Sequence, residues 1–106
     1  MVEELTVRAL NERRQSGDGT VVLDVREPWE IAICSLPGSL NIPMREIPAR
    51  LDDLPRDKDI AVFCHHGNRS RTVAEYLKRS GFENVHNVAG GIAAWAQDID
   101  PSTPTY

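Results

Sequence analysis

Apolar residues fall along this chain in short unbroken runs separated by segments of helical spacing. Ile60 to Phe63 is a run without polar breaks, which predicts a buried strand, and Val21 to Val25, interrupted only by Asp24, reads as another. Val85 to Val88 predicts a further strand, and Ser39 to Ile42 a short one bracketed by Pro37 and Pro43. Between them lie helical signatures. Thr6 is placed to cap a helix over 7–16, with Val7 and Leu10 on its inner face and Gly17 as its stop. Glu27-Pro28-Trp29-Glu30 starts a short helix, and Ile47 to Leu54 reads as another. Val73, Tyr76 and Leu77 set the apolar face of a helix over 70–80, with Gly81 after it, and 91–96 forms a last one. Strands alternating with helices predict an α/β fold, a parallel sheet covered on both faces. Neither a repeat nor a linker is visible, so residues 1–106 read as one domain, with 98–106 a loose C-terminal tail. Trp29, Trp95 and Tyr76 are expected in the core.

The joint between the strand over 60–63 and the helix after it carries the chemistry. It reads Cys64-His65-His66-Gly67-Asn68-Arg69-Ser70-Arg71. A strand–loop–helix turn aims backbone N–H groups and a helix dipole at one spot, beyond the carboxyl end of the sheet. Thiols in such places ionise readily, with pKa values of roughly 3.5–7.5 in place of about 8.5. One segment thus offers a nucleophile, its activation and an anion cradle. Arg69 and Arg71 oppose the helix dipole, and a bound anion or thiolate accounts for them better than solvent does. The segment 60–74 contains no acidic residue, so the site is expected to be locally positive. Adjacent histidines point in different directions, and no second ligand pair has zinc-like spacing, so no metal is expected. His65 and His66 are read as lining the loop.

Composition narrows the setting. With 106 residues, 41% apolar, the chain suits one core. A net charge of −4 argues against nucleic acid or an anionic membrane as partner. No apolar stretch is long enough to span a bilayer, and no secretory pattern is seen at the N-terminus, so a reducing cytoplasm is expected. Two cysteines do not make a disulfide framework.

Five segments together resemble the rhodanese domain: Val21 to Glu27, Leu36 to Pro43, Cys64 to Ser70, Gly81 to Val85, and Gly90 to Trp95. They occur in the family's order and spacing along nearly the whole chain. The resemblance implies a central parallel sheet of about five strands with helices on both faces. It implies a single-domain sulfurtransferase of the thiosulfate type, in which Cys64 carries a persulfide. The loop His65, His66, Gly67, Asn68, Arg69 and Ser70 would bind substrate and persulfide. Asp24 would brace the loop, Arg26 would line the entrance, and Arg71 would support the site. No cofactor is implied. The partners would be a small anionic sulfur donor and a thiol or protein acceptor.

Cys64 and Arg69 enclose four residues, a C-x4-R loop. The related phosphatases and arsenate reductases carry one more, and a tighter ring suits a sulfane sulfur. A phosphatase or arsenate reductase on the same scaffold is the alternative enzyme, and a non-catalytic binding module the alternative of another class. In one respect the chain departs from the family. Cys34-Ser35 stands where a Gly-His pair is usual. Cys34 is expected to be an inert, semi-buried thiol, because nothing basic lies next to it in sequence.

Overall fold

In the computed structural model, which describes residues 2–106, five parallel strands form one sheet. The elements run β1 (Glu3–Leu5), α1 (Val7–Ser16), β2 (Val21–Asp24), α2 (Pro28–Ile33), β3 (Leu40–Asn41), a 3-10 segment (Met44–Asp53), β4 (Ile60–Phe63), α3 (Asn68–Arg79), β5 (Val85–Val88) and α4 (Gly91–Asp98). The strand order is β1-β5-β4-β2-β3. Strand β1 was not located from sequence, because Glu3-Glu4-Leu5 is too short and acidic to read as one. It pairs with β5 in register Glu3 to His86 and Leu5 to Val88.

Alternation along the central strands divides the core in two. Leu23, Ile60, Val62 and Val85 point to one face and pack with Val73, Ala74 and Leu77 of α3 and Ile47 of the 3-10 segment. Val22, Ala61, Phe63 and Val88 point to the other and pack with Leu10 of α1 and Ile92 and Trp95 of α4. Burial on both faces explains why β4 reads as a continuous apolar run.

Local signals set the ends of the helices. The Thr6 hydroxyl accepts the Ala9 N–H at 3.1 Å, and Gly17 adopts φ +66° after α1. Pro28 opens α2, and the Glu30 carboxylate reaches back to the Glu27 N–H at 3.0 Å. The helix expected over 47–54 begins earlier, at Met44, and is of the tighter 3-10 type, with Pro48 inside it.

Two expectations need correction. Trp29 is not core. It is 62% exposed on the outer side of α2, edge-on to Tyr106 with ring centroids 5.8 Å apart. The residues after α4 are not loose. They turn through Asp100 to Thr103 and bring the Tyr106 ring onto His65 at 4.0 Å. Pro101 and Pro104 suggested a tail without structure, but the proline-bearing turn aims an aromatic ring at the carboxyl end of the sheet.

Candidate functional site

Cys64 follows β4 directly and is 1% exposed. Its Sγ lies against the N-terminus of α3, where it accepts the Gly67 N–H at 3.1 Å and the Ser70 N–H at 3.4 Å. The loop turns this tightly because Gly67 takes φ +103°, a region that favours glycine. Its carbonyls are tied down from behind. The Ile92 N–H donates to the Cys64 carbonyl at 2.9 Å and the Ala93 N–H to the His65 carbonyl at 3.1 Å. The N-terminus of α4 therefore fixes the outer side of the loop, while the Gly67 and Ser70 N–H groups face the sulfur.

A buried polar chain continues from the sulfur. The thiol donates to Ser70 Oγ at 3.2 Å, and the Ser70 hydroxyl donates to Asn87 Oδ1 at 2.5 Å. Asn87 Nδ2 donates to the Gly67 carbonyl at 3.2 Å and to Glu4 Oε1 at 2.9 Å. These two acceptors fix which way the amide faces, and so which way the Ser70 proton points. Asn87 is fully buried. Sequence reasoning missed it because β5 carries two adjacent polar residues, His86 and Asn87, and nothing local tells which of them is buried.

Arg69 stands at the rim of the cleft, its side chain 36% exposed. It binds the Glu30 carboxylate in a two-pronged pair, at 2.7 and 2.8 Å. Glu30, from α2, is 2% exposed and also accepts the Tyr106 hydroxyl at 2.7 Å. The Arg69 bond, foremost, holds the Glu30 carboxyl down at about 2 against the opposing effect of burial. Arg71 lies on the exposed side of α3 and pairs with Glu4 at 3.2 Å. The expected excess of positive charge is thus compensated. Glu30 and Glu4 come from elements distant in sequence and neutralise both arginines, which a scan of 60–74 does not reveal.

Asp24 and Arg26 form a fully buried ion pair at 2.7 Å. Arg26 does not line an exposed entrance, and the Asp24 carboxylate binds Arg26 rather than the Cys64 loop. Burial alone would lower the Arg26 pKa; the bonds to Asp24 and Tyr106 outweigh it and raise it. Arg26 also donates to the Cys34 carbonyl at 2.8 Å and to the Tyr106 hydroxyl at 2.9 Å. Its Nη1 lies 3.9 Å from Cys34 Sγ, so a basic group does adjoin that thiol, contrary to the expectation from neighbouring sequence.

The two histidines do not diverge. Their rings stack at 4.0 Å, and His65 is sandwiched between His66 and Tyr106. Burial, then the neighbouring His66, lowers the His65 pKa. Among the described residues no cluster of histidine, cysteine and carboxylate side chains could hold a metal. Cys64, His65, His66, Asn68 and Arg69 line an open cleft of about 260 Å³, with the sulfur in its lining. A hollow of about 310 Å³ near Arg13, Gly17 and Gly38 lies at the opposite end of β2 and contains no nucleophile.

The Glu30–Arg69 pair makes a prediction about acid stability. A carboxyl held at about 2 when folded and near 4.5 when free adds stability that is present above pH 4.5 and fades as pH falls towards 2. With Arg69 partly open to solvent, the contribution is on the order of 2 kcal/mol. Urea midpoints for the wild type should fall over that range. A Glu30→Gln variant should be less stable at neutral pH and lose less on acidification. Parallel curves for the two proteins would show that the pair adds nothing.

The sequence matches the family profile of the Rhodanese-like domain over residues 6–98. It is 37% identical to a sulfurtransferase of Allochromatium vinosum, covering 92% of this chain and 91% of the relative. It is 35% identical to the putative sulfurtransferase YtwF of Bacillus subtilis, covering 94% and 96%. It also aligns with longer proteins, spanning 38% of the length of one from Arabidopsis thaliana. The fold is similar to the crystal structure of a rhodanese-related protein from Thermoplasma volcanium, with TM-score 0.84 and 38% identity over 92% of this chain and 93% of that one. Relatives named as sulfurtransferases along nearly their full length support sulfur transfer as the general class of chemistry. With a five-stranded parallel sheet, the loop after its central β4 and a profile match over most of its length, the chain belongs to the rhodanese-like domain family.

Proposed function

We propose that this domain moves a sulfane sulfur from thiosulfate, or a related anionic donor, to a thiophilic acceptor through a persulfide on Cys64. The observation that carries this reading is the position of Cys64 Sγ, buried in the cleft and accepting two backbone N–H groups at the start of α3. In the first step the Cys64 thiolate attacks the outer sulfur of thiosulfate. The new S–S bond forms as the old one breaks, and sulfite leaves with the electron pair. The product is Cys64–S–S⁻, whose charge meets the N–H groups of the loop and the helix dipole. In the second step the acceptor attacks the outer sulfur and Cys64 leaves as a thiolate. With cyanide the product is thiocyanate; in the cell a thiol or protein acceptor fits the open cleft better. The cycle is a double displacement and needs no electrons from outside. Both cysteines are free, which suits a reducing compartment such as the cytoplasm.

The compact loop also separates this reading from a phosphatase. Only four residues lie between Cys64 and Arg69, and the Gly67 N–H already reaches the sulfur at 3.1 Å. The wild type should turn over thiosulfate and cyanide and leave aryl phosphates essentially untouched. One glycine inserted after Gly67 should cost about a hundredfold in sulfur transfer, the scale of losing one charge-stabilising donor. A wild type that hydrolyses aryl phosphate faster than it transfers sulfur would overturn the proposal.

A further inference from the structure

A single phenol joins the Arg69–Glu30 pair at the rim of the cleft to the buried Asp24–Arg26 pair. The Tyr106 hydroxyl accepts from Arg26 Nη1 at 2.9 Å and donates to Glu30 Oε2 at 2.7 Å. The Glu30 carboxylate consequently has four donors. Oε1 takes Arg69 Nη1 and the Glu27 N–H; Oε2 takes Arg69 Nη2 and Tyr106. That is more than a pairing with Arg69 alone requires.

While Arg69 stays on Glu30, the rim of the cleft carries a neutral pair. A dianionic donor approaching Cys64 gains little from it, and is repelled by the carboxylate behind it. Capture improves when Arg69 turns from Glu30 towards the donor, and its part-exposed side chain has room to do so. The obstacle is Glu30, which is 2% exposed and cannot be left uncompensated. From this arrangement we infer that Tyr106 is a positioning residue for donor binding: its hydroxyl keeps Glu30 satisfied when Arg69 releases it to hold the anion. The Tyr106 ring fixes the hydroxyl in place, stacked on His65 at 4.0 Å and edge-on to Trp29 at 5.8 Å. Arg26, held by Asp24, supplies the other side of the phenol and a fixed positive charge behind it. A buried pair and the cleft are thereby linked through Tyr106 and Glu30.

This inference rests on the proposed sulfur-transfer reading for its turnover measurements, but not for its binding measurement. Tyr106→Phe keeps the ring and removes the hydroxyl. Oε2 then has no donor once Arg69 leaves, so Arg69 should be released less readily. The KM for thiosulfate should rise about fivefold, the cost of one unsatisfied buried acceptor, while kcat changes less than about twofold. Binding is read independently by the concentration of inorganic sulfate that slows alkylation of Cys64 by uncharged iodoacetamide. That concentration should also rise about fivefold in Tyr106→Phe. In a Glu30→Gln background the amide carries no charge to be satisfied, and Tyr106→Phe should then change neither quantity. Equal KM and equal sulfate protection in wild type and Tyr106→Phe would overturn the inference. So would a loss confined to kcat, or an undiminished effect in the Glu30→Gln background. If the wild type transfers no sulfur yet Tyr106→Phe weakens sulfate protection, the sulfur-transfer proposal fails and the role of Tyr106 stands.

Discussion

Replacing Cys64 by serine should abolish sulfur transfer and leave the fold intact. Cys64 and serine differ little in size, and the pocket around Sγ supplies the Gly67 and Ser70 N–H groups and Ser70 Oγ, all of which a hydroxyl can use. The chemistry does not survive the exchange. A serine hydroxyl is not ionised at neutral pH, is a poor nucleophile towards sulfur, and cannot form the persulfide. The thiosulfate:cyanide rate should drop by at least about a thousandfold, as for removal of a covalent nucleophile elsewhere. Cys34→Ser is the control. Cys34 lies at the end of α2 behind the Arg26–Tyr106 contact, not in the lining of the cleft. It should keep most of the activity. Equal losses in the two variants would mean that transfer involves both thiols.

Gly91→Ala should be the most damaging single methyl that can be added to the molecule's working end. A Cβ at Gly91 would lie 2.2 Å from the Cys64 carbonyl oxygen and 2.6 Å from that of His65, both backbone atoms. Gly91 also has φ +56°, which favours glycine. Neither side can give way without breaking the bonds from Ile92 and Ala93 that hold the loop from behind. The expected cost is about 3 kcal/mol, or a fall in Tm of roughly 15 °C. Activity should fall further than stability, because the displaced loop is the one that cradles the sulfur. Gly38→Ala gives the comparison. Its φ is +79° but nothing lies within 4 Å of its Cβ position, so only the backbone cost remains, about 1 kcal/mol. Thermal melts of the two variants should therefore separate clearly. If they coincide, the close approach of Gly91 to the Cys64 loop is not what restricts that position.

What could be read from the sequence was what is local. The β4 strand, the glycine-containing turn and α3 lie in one continuous segment, so the cradle around Cys64 is visible as a string of residues. The C-x4-R spacing and the four apolar strands are legible for the same reason. Pairing across the fold was not legible. Arg69 and Arg71 looked like uncompensated charge because Glu30 and Glu4, their partners, come from α2 and β1. Arg26 looked like an entrance residue, yet the sheet places it beside Asp24 with no exposure at all. The residues after α4 carried only turn signals, since no local pattern announces that Tyr106 returns to His65 and Glu30. Asn87 was one of two adjacent polar residues in β5, and its bonds to Ser70 and Gly67 exist only once β5 lies beside β4.

The central claim is that Cys64 holds the sulfur in transit, and the intact mass of the protein after thiosulfate treatment tests it most directly. The wild type, treated with thiosulfate and freed of small molecules, should gain the mass of one sulfur atom. Cyanide should remove it, and peptide mapping should place it on Cys64. Cys64→Ser should gain nothing. An unmodified wild type that still turns over thiosulfate, or a stable added sulfur in Cys64→Ser, would contradict the account.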